Sequence, residues 1–225
     1  METKRIFNFL NDIKKNNNRE WFAENKAHYQ AAFADFQEIT NLLIARISEF
    51  DKEIAGLQAK DCIFRIYRDT RFHDKTPYKT HLGTYICAGG GRKSERSGYY
   101  LHLEPGNCLL SGGLWCPQPA VLKAVREAVY DNIDEFKEII ENHRFSDIFT
   151  FGEDENTKLK TVPRGFPKDF ADADYLKHKH YTVYRHEPDA FFAENDWFEK
   201  TVETFRSMQP LHRFLNYTVD EVLGK

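Results

Sequence analysis

At 225 residues, with 41% hydrophobic and 30% charged side chains, the chain has the composition of a globular protein and not of a disordered one. A net charge of −3 and a pI near 6.3 argue against the overall basic excess of most nucleic-acid readers. Met1 is followed by Glu2, Thr3, Lys4 and Arg5 with no long apolar run after them, so neither a secretory signal nor a membrane span is expected.

The N-terminal third reads as helix. Ile6, Phe9, Leu10 and Ile13 fall at helical spacing, and Asn16-Asn17-Asn18 breaks the pattern. Asn17 with Glu20 resembles a capping box opening a long helix. In that helix Phe22, Tyr29, Phe36, Leu43 and Phe50 recur every seven residues, with Phe33 and Ile47 between them. A heptad recurrence also fits a coiled coil, but a total of 19 Phe, 11 Tyr and 3 Trp suits a broad core better than a narrow seam, so this helix is expected to lie across a sheet.

The middle third changes period. Cys62 to Tyr67, Thr84 to Ala88, Gly98 to Glu104 and Cys108 to Ser111 are short apolar and aromatic runs that read as strands. Glu104-Pro105-Gly106-Asn107 has Pro and Gly where a type II turn needs them, which predicts a hairpin. Gly89-Gly90-Gly91 lacks a phosphate-loop pattern and reads as a hairpin tip. Helices return after Pro117 and Pro119, with Val121, Leu122, Val125 and Val129 on one face, then Ile133, Phe136 and Ile140. Residues from Phe145 to Pro167 read as irregular, His180 to His186 as a fifth strand, and Asp196 and Pro210 as helix starts. The expectation is one α+β domain over residues 1–225. It has a mainly antiparallel sheet of about five strands, covered by helices, and a long N-terminal helix.

Cys62, Cys87, Cys108 and Cys116 show no metal-ligand spacing. The first three sit in strand-like runs, and buried free thiols in a reducing, cytoplasmic setting are expected. Lys177-His178-Lys179-His180 has two histidines on one strand face but no third ligand, so no metal site is expected there.

Charge is unevenly placed. Lys60 to Arg96 holds nine basic residues against four acidic ones, whereas Glu127 to Glu155 holds ten acidic against two basic. In the basic stretch, period-2 alternation places Arg65 and Tyr67 on one strand face, and Arg65 is read as a charge within an apolar strand. Tyr100, His102 and Glu104 alternate with Tyr99, Leu101 and Leu103, giving a polar face on the neighbouring run. His102 with Glu104 has the chemistry of an acid–base pair, and Glu104 could equally be the structural partner of Arg65. Arg68, Asp69 and Arg71 crowd a charged loop. Trp115, after Gly112-Gly113, is either a pocket wall or a core plug.

The chain resembles the uncharacterised family catalogued as domain of unknown function 2461. The resemblance rests on four stretches: Asn17-Asn18-Arg19-Glu20-Trp21-Phe22 with Asn25-Lys26 and Tyr29; Phe64 to Phe72 with Asp74-Lys75 and Pro77-Tyr78-Lys79; Gly98 to Pro105 with Gly112-Gly113-Leu114-Trp115 and Pro117; and Leu159-Lys160 with Pro163-Arg164-Gly165-Phe166 and Leu176-Lys177. Phe166 departs from the family pattern, where Tyr is more usual. The resemblance implies a shared fold and polar signature, and carries no established activity, cofactor or partner with it.

Three readings remain side by side. The first is a pocket for a phosphate- or carboxylate-bearing small molecule. It uses Arg65, Tyr67, Arg68, Asp69, Arg71, Lys75, Tyr78, Lys79, Tyr100 and Trp115, with His102 and Glu104 for acid–base chemistry. The second is a nucleic-acid-binding module adding Arg92, Lys93 and Arg96, and the third is a non-catalytic scaffold. Cofactor, substrate and oligomeric state are unknown from the sequence.

Overall fold

Three asparagines organise the N-terminal helices. Helix α1 (Lys4–Lys15) buries Ile6, Phe9, Leu10 and Ile13 and ends at Asn16. In the computed structural model, which describes residues 3–69, 76–152 and 157–224, Asn18 and not Asn17 caps the next helix. Its side chain accepts from the Trp21 N–H at 2.8 Å at the start of α2 (Arg19–Glu24). Asn17 makes a tertiary clasp instead. Its amide donates to the Tyr78 carbonyl at 2.9 Å and its carbonyl accepts the Tyr78 N–H at 3.1 Å.

The expected long helix is interrupted at Asn25, whose amide donates back to the Trp21 carbonyl at 2.9 Å. Helix α3 (Lys26–Phe50) then runs 25 residues and buries Phe36, Leu43 and Ile47 of the stripe. Tyr29, Phe33 and Phe50 are half-buried. Phe22 at the centre of α2 stacks on Tyr78, with centroids 4.0 Å apart and planes at 13°.

Five strands form an open sheet in the order β1-β2-β3-β5-β4. They are β1 (Leu82–Ile86), β2 (Gly98–Leu103), β3 (Cys108–Leu114), β4 (Thr150–Phe151) and β5 (Tyr181–Glu187). The turn between β2 and β3 is as expected: the Asn107 N–H donates to the Glu104 carbonyl at 2.8 Å, and Gly106 has φ of +81°. Two strand expectations are corrected. Cys62–Tyr67 is no strand: α4 (Ala59–Cys62) ends in it, and only bridges from Ile63 to Thr84 and from Tyr67 to Tyr78 follow. Strand β4 lies inside the stretch read as irregular, and pairs antiparallel with β5 through Thr150–Tyr184 and Phe151–Val183.

The chain divides into two compact units, and β2, β3 and β5 each give residues to both. Unit 1 comprises residues 1–93, 100–110 and 186–203, and unit 2 comprises 94–99, 111–185 and 204–225. In unit 2, α5 (Pro119–Asp131), α6 (Ile133–Ile140) and α10 (Gln209–Leu223) pack together over Val125, Phe136 and Leu215. Among the described residues the remaining α-helices are α7 (His143–Ser146), α8 (Ala173–Leu176) and α9 (Trp197–Ser207). Cys62, Cys87 and Cys108 are buried free thiols, and Cys116 is exposed. Among the described residues, no helix is long and apolar enough to cross a membrane.

Candidate functional site

Alternation along β2 buries Tyr99, Leu101 and Leu103 and leaves Tyr100 and His102 half-buried on the opposite face, with Glu104 two residues further on. The three polar side chains are hydrogen-bonded in sequence order. Tyr100 Oη lies 2.9 Å from His102 Nδ1, and His102 Nε2 lies 3.3 Å from Glu104 Oε2. The carboxylate also accepts from the Thr80 hydroxyl at 2.6 Å and the Asn107 amide at 3.0 Å. The His81 ring lies against His102, with centroids 4.3 Å apart. All of these residues belong to unit 1.

The chemistry of the groups orders the protons. Burial raises the Glu104 carboxyl, but the bonds from Thr80, Asn107 and His102 outweigh it and hold the pKa down to about 2. Glu104 is therefore an acceptor only, and His102 Nε2 carries the proton between them. Burial lowers the His102 pKa against the pull of Glu104, so its ring is neutral and Nδ1 accepts from the Tyr100 hydroxyl. His81 is pushed down to about 4 by burial, then by His102 and Lys79. Tyr100 is pushed up to about 12 by burial and by Glu104. The centre holds one fixed negative charge, two neutral imidazoles and a protonated phenol.

A second feature of unit 1 lies on the basic stretch. The chain pairs with itself there: the Arg68 N–H donates to the Pro77 carbonyl at 2.9 Å and the Lys79 N–H to the Ile66 carbonyl at 2.8 Å. Beside this ribbon opens a cavity of about 520 Å³. Tyr29, Phe33, Ile63 and Phe64 form its apolar wall, and Arg65, Lys79, Arg92 and Lys93 supply its charge. Lys79 Nζ stands 5.5 Å from the Phe64 ring centroid. Its pKa is lowered by burial first, and then by Arg65 and Arg68.

The residues singled out from the sequence are thus divided. Tyr100, His102 and Glu104 come together, with Lys79 close enough to act on the histidines. Arg65 and Lys79 line the cavity. The expectation that Arg65 is a charge within an apolar strand is corrected: the segment makes only isolated bridges, Ile63 and Ile66 turn inward, and Arg65 is exposed to solvent. Glu104 is held by Thr80, Asn107 and His102 and not by Arg65. Tyr78 is core, 6% exposed beneath Phe22, whereas Tyr67 is 50% exposed. Arg68 is half-buried and Asp69 exposed. Arg71 and Lys75 lie outside the described residues. Trp115 belongs to unit 2, where it is 54% exposed and stacks on His180 at 4.3 Å. His180 Nδ1 accepts the Cys116 N–H at 3.0 Å, and the buried His178 packs on Phe151, so these two histidines make separate contacts.

Sequence reasoning missed His81, Thr80 and Asn107, and it did not join Tyr29, Phe33 and Phe64 to the basic residues. The one available signal was Thr80-His81 directly after Lys79 in the most charged stretch.

The model of a family described as conserved hypothetical protein (DUF2461) matches residues 5–214. The chain belongs to that family. The match covers both units, and within the family's span lie His81, His102, Glu104 and the whole cavity wall. No curated protein and no solved structure matches the chain.

Proposed function

We propose that this family member binds a small molecule carrying a phosphate or carboxylate next to an apolar or aromatic body, in the unit 1 cavity. Lys79 carries the reading. It is a half-buried ammonium whose charge is disfavoured by its surroundings, beside Arg65 at a wall of aromatic rings. Among the described residues lining the cavity, four are basic and none is acidic. A bound anion relieves that repulsion, and guanidinium forks match phosphate and carboxylate geometry. The rings of Tyr29, Phe33 and Phe64 offer stacking area to the remainder of the ligand. The buried free thiols Cys62, Cys87 and Cys108 support a reducing, cytoplasmic setting.

A thermal-shift series tests this with inorganic phosphate, phenyl phosphate, phenol, citrate and a short single-stranded oligonucleotide. The expected order is phenyl phosphate above inorganic phosphate, with phenol ineffective. A larger shift from the oligonucleotide than from phenyl phosphate would replace the small-molecule reading with a nucleic-acid one. No response to any anion would end it.

A further inference from the structure

We infer that His81, His102 and Glu104 form a binding site for a first-row divalent transition-metal ion, with Zn2+ the best fit to the donor set. One ligand atom from each residue lies within 4.8 Å of the other two. Ligands about 2.1 Å from a tetrahedral ion stand roughly 3.4 Å apart, and the His102 Nε2 to Glu104 Oε2 separation is already 3.3 Å. His81 supplies the other two edges, with its ligand atom within 4.8 Å of both. Two imidazoles with one carboxylate suit Zn2+, Fe2+, Co2+ and Ni2+ better than Mg2+ or Ca2+, which prefer all-oxygen shells.

The surroundings are those that such a site needs. Two of the three ligands are held from behind. Thr80 fixes Glu104 Oε1, Asn107 fixes Oε2, and Tyr100 engages the far nitrogen of His102. At His102, metal binding needs a change of tautomer and gives up the Nε2–H bond to Glu104. The proton on Nε2 gives way to the ion, and Nδ1 takes a proton and donates it to the Tyr100 oxygen. With three protein ligands, a tetrahedral ion keeps one position open for water or for a ligand. The inference stands apart from the anion cavity, since it uses none of the cavity's lining residues.

The test is calorimetric titration of the metal-free full chain with Zn2+, with Co2+ as a spectroscopic probe. One equivalent should bind per chain. His81→Gln and Glu104→Gln should each weaken binding at least ~100-fold, and Tyr100→Phe about tenfold. His178→Gln and the cavity variant Arg65→Met should bind as the wild type does, so failure of the anion reading leaves this result unaffected. Circular dichroism checks that each variant folds. If His81→Gln does not fold, the Co2+ complex of the wild type decides: visible d–d bands without thiolate charge transfer are expected. Absence of a stoichiometric site, thiolate bands, or unchanged affinity in folded His81→Gln and Glu104→Gln would each overturn the inference and leave His102–Glu104 as a hydrogen-bonded pair.

Discussion

The Tyr100 ring lies directly over Gly83: a methyl group built on Gly83 would stand 2.7 Å from the Tyr100 hydroxyl. Strands β1 and β2 are neighbours, and the missing side chain at position 83 lets the phenol reach His102. Gly83→Ala should force the ring aside, break its bond to His102 and cost about 1–3 kcal/mol of stability. Urea unfolding measures the cost, and the His102 ring resonances report the lost bond. A variant as stable as wild type with unmoved resonances would show that the ring has room.

Asn17 and Asn18 should separate cleanly on mutation. Asn18→Ala removes one helix cap, which costs about 1 kcal/mol. Asn17→Ala removes two bonds to the Tyr78 backbone and strands a donor and an acceptor in a half-buried position. That loss should reach about 2–3 kcal/mol. Equal melting temperatures for the two variants would contradict the clasp.

His212 should make unit 2 sensitive to acid. The ring is 2% exposed, packs 4.4 Å from Tyr99 and has no hydrogen-bond partner for either nitrogen among the described residues. Burial pushes its pKa from 6.5 down to about 3. Between those values the unfolded chain binds a proton that the folded one refuses. The stabilising contribution is therefore complete above pH 6.5 and is lost as pH falls towards about 3. One group gives a slope of at most ~1.4 kcal/mol per pH unit. His212→Leu should remove that share from the pH dependence of urea unfolding, and an unchanged slope would contradict it.

Part of this arrangement was legible in the sequence. The polar face of β2 follows from period-2 alternation, because Tyr100, His102 and Glu104 are spaced by two between buried neighbours. The β2–β3 turn is likewise local, set by Pro105 and Gly106. His81 was not legible, because its contact with His102 is made across neighbouring strand segments, and pairing register is a tertiary property. Arg65 was misplaced for a related reason. The run around it has strand-like composition, but its buried residues Ile63 and Ile66 are three apart, and the backbone makes only isolated bridges. Composition marked the segment as ordered and left the direction of its side chains open.

The central claim is that the cavity beside Lys79 holds an anion, and Lys79→Met tests it most directly. The fold disfavours the Lys79 charge, so removing it should leave the melting temperature unchanged or raise it. The same change removes a cation from the cavity wall and should weaken phenyl phosphate binding about tenfold or more in calorimetric titration. Stability kept with affinity lost is the result expected. A variant that melts well below wild type and binds phenyl phosphate as tightly would contradict the account, because Lys79 would then serve the fold and not a ligand.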